Sequence, residues 1–206
     1  MTIKTTKVFE KNLKAYVEGN RYIINQGGAR SGKTYSIVQL LILIAMYQPN
    51  ETYVSIVSAT LPHLKRGAMR DFFSILQSLN MYDENSYNRT DKIYRINKTQ
   101  IEFFSVDTAE KVYGSSRNIL FINEANNIDE ERARQLVIRT KGTVFFDFNP
   151  TCEFYCHTDY MTRNNSTYIH STFADNPYLD ENIKQELHEA GKRNANFKRV
   201  FVDGEV

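Results

Sequence analysis

Tryptophan is missing from this 206-residue chain, and cysteine, proline and glycine number only two, four and nine. So little proline and glycine excludes a collagen-like or low-complexity chain, and two cysteines exclude a disulfide scaffold. Neither sign of charge dominates: 26 Lys and Arg against 24 Asp and Glu leave a net charge of +2. The molecule is therefore no simple polycation, and any contact with nucleic acid must come from local patches. Long hydrophobic runs are lacking too. The longest apolar stretch, Ile37 to Tyr47, is interrupted by Gln39 and too short to cross a bilayer. The N-terminus, Met1-Thr2-Ile3-Lys4, has no apolar signal region. A soluble, intracellular chain with reduced thiols and no membrane partner is expected. Cys152, Cys156 and His157 form a Cys-x3-Cys-His cluster that lacks a fourth ligand at zinc-site spacing.

What is present is a core and an alternation. Apolar residues make up 41% of the chain, enough for one α/β domain over residues 1–206 with no visible linker. Strands are predicted at 21–25, 52–58, 118–123, 142–148 and 167–173, and helices at 33–47, 62–79, 129–139 and 180–193. Asp129 and Asp180 serve as N-caps. Residues 88–104 alternate polar and apolar with a turn at Asn97-Lys98, the pattern of a hairpin, and 196–206 holds a short helix or strand. The fold class is α/β: a mainly parallel central sheet flanked by helices, with an appended antiparallel hairpin.

The chemistry starts at Gly27-Gly28-Ala29-Arg30-Ser31-Gly32-Lys33-Thr34, a complete Gly-x4-Gly-Lys-Thr run between a strand and an apolar helix. Glycines let the backbone curl so that successive N–H groups face one anion, and the helix N-terminus adds partial positive charge. Lys33 is expected on the β- and γ-phosphates of ATP or GTP, and Thr34 on Mg²⁺. Arg30, inside the loop, either bridges to the γ-phosphate during hydrolysis or points to solvent.

A hydrolase of this class needs a carboxylate at a neighbouring strand end. Ile119-Leu120-Phe121-Ile122-Asn123-Glu124 supplies one, with Glu124 as the water-activating group. The usual pattern is Asp-Glu. Asn123 keeps an oxygen for the metal's outer shell but loses the charge. Val144-Phe145-Phe146-Asp147-Phe148-Asn149-Pro150 ends in polar residues. Asn149, held extended by Pro150, is a candidate γ-phosphate sensor. Asp147 alternates with Phe146 and Phe148 and is expected on the opposite face. Lys65, Arg66 and Arg70 form a basic cluster that is either a solvated helix face or a DNA contact.

Several segments together resemble the large subunits of tailed-phage terminases, the ATP-driven DNA-packaging motors. They are 22–34; 103–107 with Ala109-Glu110-Lys111; Phe121-Ile122-Asn123-Glu124-Ala125; Phe148-Asn149-Pro150-Thr151 before an aromatic-rich helix; 169–179, containing Asp175-Asn176-Pro177; and Val202-Asp203-Gly204-Glu205. Their order resembles the terminase ATPase domain from end to end. The resemblance implies ATP hydrolysis with Mg²⁺ that drives double-stranded DNA through a portal protein into a procapsid. It also implies a small terminase subunit as partner, a ring of commonly five copies, and work in the host cytoplasm. Family members use a P-loop Arg, matched here by Arg30 although many relatives carry it one residue earlier, and often an Arg from the neighbouring subunit. Arg117 is the candidate for the latter, with Arg66 and Arg70 as rivals. Asn149-Pro150 matches the coupling motif. The nuclease domain of a full-length large terminase would begin where this sequence stops, so no nuclease activity is expected from it. The alternatives are a helicase-like or repair ATPase, a nucleotide-binding assembly module with little hydrolysis, and a small-molecule kinase.

Overall fold

The computed structural model describes residues 4–107 and 116–206. In chain order, α1 (Lys7–Val17) leads into β1 (Tyr22–Gly27), α2 (Lys33–Tyr47) and β2 (Thr52–Ser58). Next come α3 (Leu61–Arg66), α4 (Ala68–Ser78), β3 (Tyr87–Asn88), β4 (Ile93–Ile96) and β5 (Thr99–Ser105). Then follow β6 (Ile119–Ile122), α5 (Glu130–Ile138), β7 (Val144–Phe148), α6 (Tyr155–Thr158), β8 (Ser166–Ser171) and α7 (Glu181–Arg193). A short turn of helix, Ala195–Phe197, and a π-helical turn, Lys198–Asp203, follow α7, and short 3₁₀ turns lie at Glu84–Ser86, Ala125–Asn127, Tyr160–Thr162 and Phe173–Asp175.

The strands form one sheet in the order β3-β4-β5-β2-β6-β7-β1-β8. From β5 to β8 every neighbouring pair is parallel; β4 and β3 continue the sheet antiparallel. The predicted α/β class is thus the observed one. The hairpin is more than an appendage, because its second strand, β5, pairs with β2 along its whole length, from Thr52↔Thr99 to Ser58↔Ser105. Asn97, at φ 51°, makes its turn.

Both sheet faces are covered. One carries Ile23, Val54, Ile56, Phe103, Phe121 and Phe145 beneath α1, α2 and α4. The other carries Ile24, Val57, Leu120, Ile122, Phe146 and Phe148 beneath α5 and the Tyr155–Tyr160 segment. A strand buried on both faces reads as a continuous apolar run rather than an alternation, which is why β6 and β7 look as they do in sequence. α2 is apolar nearly all round, with Ile37, Val38, Leu40, Leu41 and Ile42 at most 1% exposed, so it is anchored along its length behind the loop it follows.

Two helical expectations change. The single helix predicted over 62–79 breaks at Gly67, whose ψ of −115° is not helical, so α3 and α4 are separate elements. α1 is an addition to the predicted elements. Its buried positions Val8, Asn12 and Ala15 have helical spacing, but the middle one is an amide. Asn12 is satisfied by Asn25 of β1: each side-chain amide donates to the other's oxygen, at 2.7 and 2.8 Å, with both residues fully buried. Ala109-Glu110-Lys111 lies outside the described residues.

Candidate active site

In an open parallel sheet, ligands sit beyond the carboxyl ends of the strands. Here β1, β6 and β7 deliver their ends to one place, with β7 between the other two. β1 runs into the glycine loop. Gly28 lies so close to the carbonyl of Phe201 that a Cβ there would sit 2.6 Å from it, and Gly32 has φ +82°. Side chains are thus excluded at the first position for space and strained at the second. The loop is braced from behind: the N–H of Gly28 donates to Ser171 O (3.0 Å) and that of Ala29 to Phe201 O (2.7 Å). Ser171 Oγ donates to Ser31 Oγ (3.1 Å), and Asn176 Nδ2 to Arg30 O (3.0 Å). The distal Asp175-Asn176-Pro177 segment is therefore part of the loop's surroundings.

A cleft of about 590 Å³ opens over the start of α2, lined among others by Lys4, Arg30, Lys33, Thr34, Asp71 and Tyr178. First-turn amides have no acceptor within their helix and face this cleft with the positive end of the helix dipole. Lys33 is 7% exposed and its ammonium donates to Gly27 O (3.2 Å) and Gly28 O (3.0 Å). Burial lowers its pKa, opposed by the charges of Asp147 and Glu124.

Glu124 follows β6 in the left-handed region, at φ 54° and ψ 54°. That conformation costs a non-glycine residue about 1–2 kcal/mol and turns the side chain out of the sheet. Its carboxylate is half-exposed, 3.4 Å from His63 Nδ1, and accepts from Asn127 Nδ2 at 3.2 Å. Asn123 is 3% exposed. Asn149 lies at the end of β7 and donates through Nδ2 to Gly27 O at 2.7 Å, tying that strand end to the first residue of the loop.

Asp147 is the site residue that the sequence pattern does not reveal. It does face away from Phe146 and Phe148, but that face is the one under α2. Its carboxylate accepts from the Thr34 hydroxyl, from Asn123 Nδ2 at 2.9 Å and from the Glu124 N–H at 2.8 Å. Burial pushes its carboxyl up; Lys33 and the three donors pull it down. The only sequence signal is a charged residue inside an otherwise apolar strand. Hard oxygen donors from Thr34 and Asp147 gathered beside a phosphate-type loop suit Mg²⁺ better than a softer metal.

Other expected positions separate. Arg117 is 1% exposed; its guanidinium donates to Leu136 O (3.1 Å) and lies over the Phe104 ring at 5.7 Å. A cation anchored inside its own subunit is not presented to a neighbour. The burial of Arg117 favours the exposed Arg66 and Arg70 as candidates for the crossing arginine. Arg70 lines both the nucleotide-type cleft and a second groove of about 480 Å³, which also takes in Lys65, Tyr87, Arg89 and Lys92. Arg89 and Lys92 escape a sequence reading because they are far from the 65–70 cluster along the chain. Arg66 stays on the exposed side of α3. Cys156 is buried in the core and burial pushes its thiol pKa up, while His157 Nε2 is 2.9 Å from Gln26 Oε1. These two do not converge on a metal site.

Comparison with known proteins agrees with this fold. The large terminase of a thermophilic bacteriophage is similar with a TM-score of 0.81 at 18% identity, over 98% of this chain and 53% of that one. The same protein in complex with ADP gives 0.77 at 19% identity, over 98% and 53%. The large terminase ATPase domain of Thermus phage P74-26 gives 0.68 at 12% identity, over 97% and 94%. This chain therefore spans about half the length of the first protein and nearly all of the isolated P74-26 domain. No curated protein matches the sequence. The family model of the phage terminase large subunit matches residues 19–205, and the chain belongs to that family.

Proposed function

We propose that this chain hydrolyses ATP to move double-stranded DNA into a procapsid. The observation that carries the reading is that Lys33 and Thr34 line one cleft at the glycine loop, while Asp147 of β7 accepts from both the Thr34 hydroxyl and the Glu124 N–H, and Asn149 just after β7 donates to Gly27 O. The thermophilic-phage relative was solved in complex with ADP, which supports nucleotide binding by this chain.

In this mechanism the loop amides and the start of α2 hold the phosphates, and the Lys33 ammonium neutralises charge on the transferred phosphoryl group. Thr34 would hold Mg²⁺ through its hydroxyl oxygen, and the ion would supply charge stabilisation to the phosphates. Glu124 orients water and accepts its proton as it attacks. Arg30, exposed at the cleft, is the loop's own arginine for the γ-phosphate. The tie from Asn149 to Gly27 links phosphate loss to movement of the β7 end. Arg66 or Arg70 serves a neighbouring copy in a ring of commonly five, and the groove of Lys65, Arg70, Arg89 and Lys92 contacts the DNA backbone. A portal protein and a small terminase subunit are the expected protein partners, in the host cytoplasm; DNA cleavage is no part of the proposal.

The test is phosphate release from ATP at rising chain concentration with linear double-stranded DNA and portal. Turnover should rise more steeply than in proportion to chain, because a neighbour completes each site, and Lys33→Ala should abolish it. Normal nucleotide binding with no turnover under these conditions overturns the proposal.

A further inference from the structure

The strand that ends in the catalytic carboxylate has lost the charge next to it. At Asn123, an amide stands where this class of site uses a carboxylate. Asn123 nevertheless does not stand alone at the strand end. Its Nδ2 donates 2.9 Å to Asp147, whose other oxygen accepts the Thr34 hydroxyl. β6 and β7 are in parallel register at Ile122↔Phe146, so the next residue on each strand, Asn123 and Asp147, falls side by side. The negative charge has not left the site. It stands one strand nearer the P-loop, on β7, the direct neighbour of β1.

We propose that Asp147 is the positioning residue for the Mg²⁺–nucleotide, carrying from β7 the charge that Asn123 lacks. The hydroxyl proton of Thr34 is committed to Asp147, which leaves the lone pairs of that oxygen for a cation in the cleft. The carboxylate also fixes the peptide N–H of Glu124 at 2.8 Å, so one anion sets both the Thr34 oxygen and the strained turn that aims Glu124. Asn123 in turn has its amide N–H₂ directed at Asp147, which makes it a donor to that anion and not a substitute for it. The inference rests on the proposed nucleotide reading and names the group on which its metal dependence turns.

The test compares ADP affinity with and without Mg²⁺ for the parent chain, Asp147→Asn and the swapped double variant Asn123→Asp/Asp147→Asn. Outer-shell partners of a metal ligand are typically worth about 10- to 100-fold in metal affinity. Asp147→Asn should therefore cut the Mg²⁺-dependent gain in ADP affinity by about 10-fold or more, while metal-free ADP affinity stays within about 2-fold. The double variant, which returns a carboxylate to β6, should regain most of the gain; a purely structural Asp147 gives no reason for that rescue. Asn123→Asp alone provides a readout that does not depend on the first variant folding. Two adjoining carboxylates repel, so it should melt lower than the parent in metal-free buffer and gain more from Mg²⁺-ADP. Undiminished Mg²⁺ gain in Asp147→Asn, failure of the double variant to rescue, or an Asn123→Asp chain no more Mg²⁺-responsive than the parent would each overturn the assignment. A parent chain that binds no ADP overturns the nucleotide reading and this inference with it.

Discussion

Asn12 and Asn25 offer a sharp test of how the P-loop strand is seated. Their amides exchange two hydrogen bonds in a fully buried position between α1 and β1, two residues before Gly27, and Asn12 Nδ2 also donates to Val8 O at 2.8 Å. Asn12→Leu removes both cross-bonds and strands the oxygen and the N–H₂ of Asn25 in a dry core. Each of the two buried unpaired groups costs about 1–3 kcal/mol, and the added apolar surface of Leu offsets about 1 kcal/mol, so the net loss is about 1–5 kcal/mol. For a domain of this size that is a fall in Tm of roughly 2–20 °C. Asn25→Leu should lose a similar amount. The double Leu variant removes donors and acceptors together and should lie within about 1.5 kcal/mol of the parent, a coupling of several kcal/mol. Urea unfolding at constant slope gives the three values directly. Single variants that lose less than about 0.5 kcal/mol, or a double variant that loses the sum of the two, refute the reasoning.

Two further outcomes follow from the site's surroundings. Burial, the larger cause, lowers the His157 pKa below its usual 6.5. The unfolded chain therefore binds the proton first, and the His157 contribution to stability is lost as pH falls below about 6.5. His157→Gln should flatten that part of the stability–pH curve, and an unchanged slope from thermal melts between about pH 5 and 7.5 counts against it. Arg70→Glu places a reversed charge where the basic groove meets the nucleotide-type cleft. DNA-stimulated turnover should fall at least about 10-fold and its dependence on salt should weaken, whereas unchanged salt dependence removes Arg70 from the DNA path.

The parts of the site held by local sequence were legible, and those held by the sheet were not. The glycine loop, the apolar strand before Asn123-Glu124 and the caps at Asp129 and Asp180 are patterns within a few residues, and each falls where expected. Which strand lies next to which is set by long-range packing. β7 enters between β1 and β6 although it follows both in the chain. That placement turns Asp147 from a stray charge into the acceptor for Thr34 and Asn123. The same packing draws Arg117 inside: the residue precedes a buried strand and its guanidinium lies over Phe104, whereas its sequence neighbours show only a cation near a strand start. Gly67 is the converse case, a single residue that breaks a helix whose apolar spacing continues across it.

The most direct measurement is the kinetics of Glu124→Gln. The substitution keeps the size and a hydrogen-bonding oxygen but removes the base, and the half-exposed side chain makes no contact the fold depends on. General-base catalysis is worth about 10²–10⁴-fold, so ATP turnover with DNA should fall by that factor while ADP affinity stays within about 3-fold of the parent. An unchanged rate in Glu124→Gln, at unchanged affinity, would contradict the account at its centre.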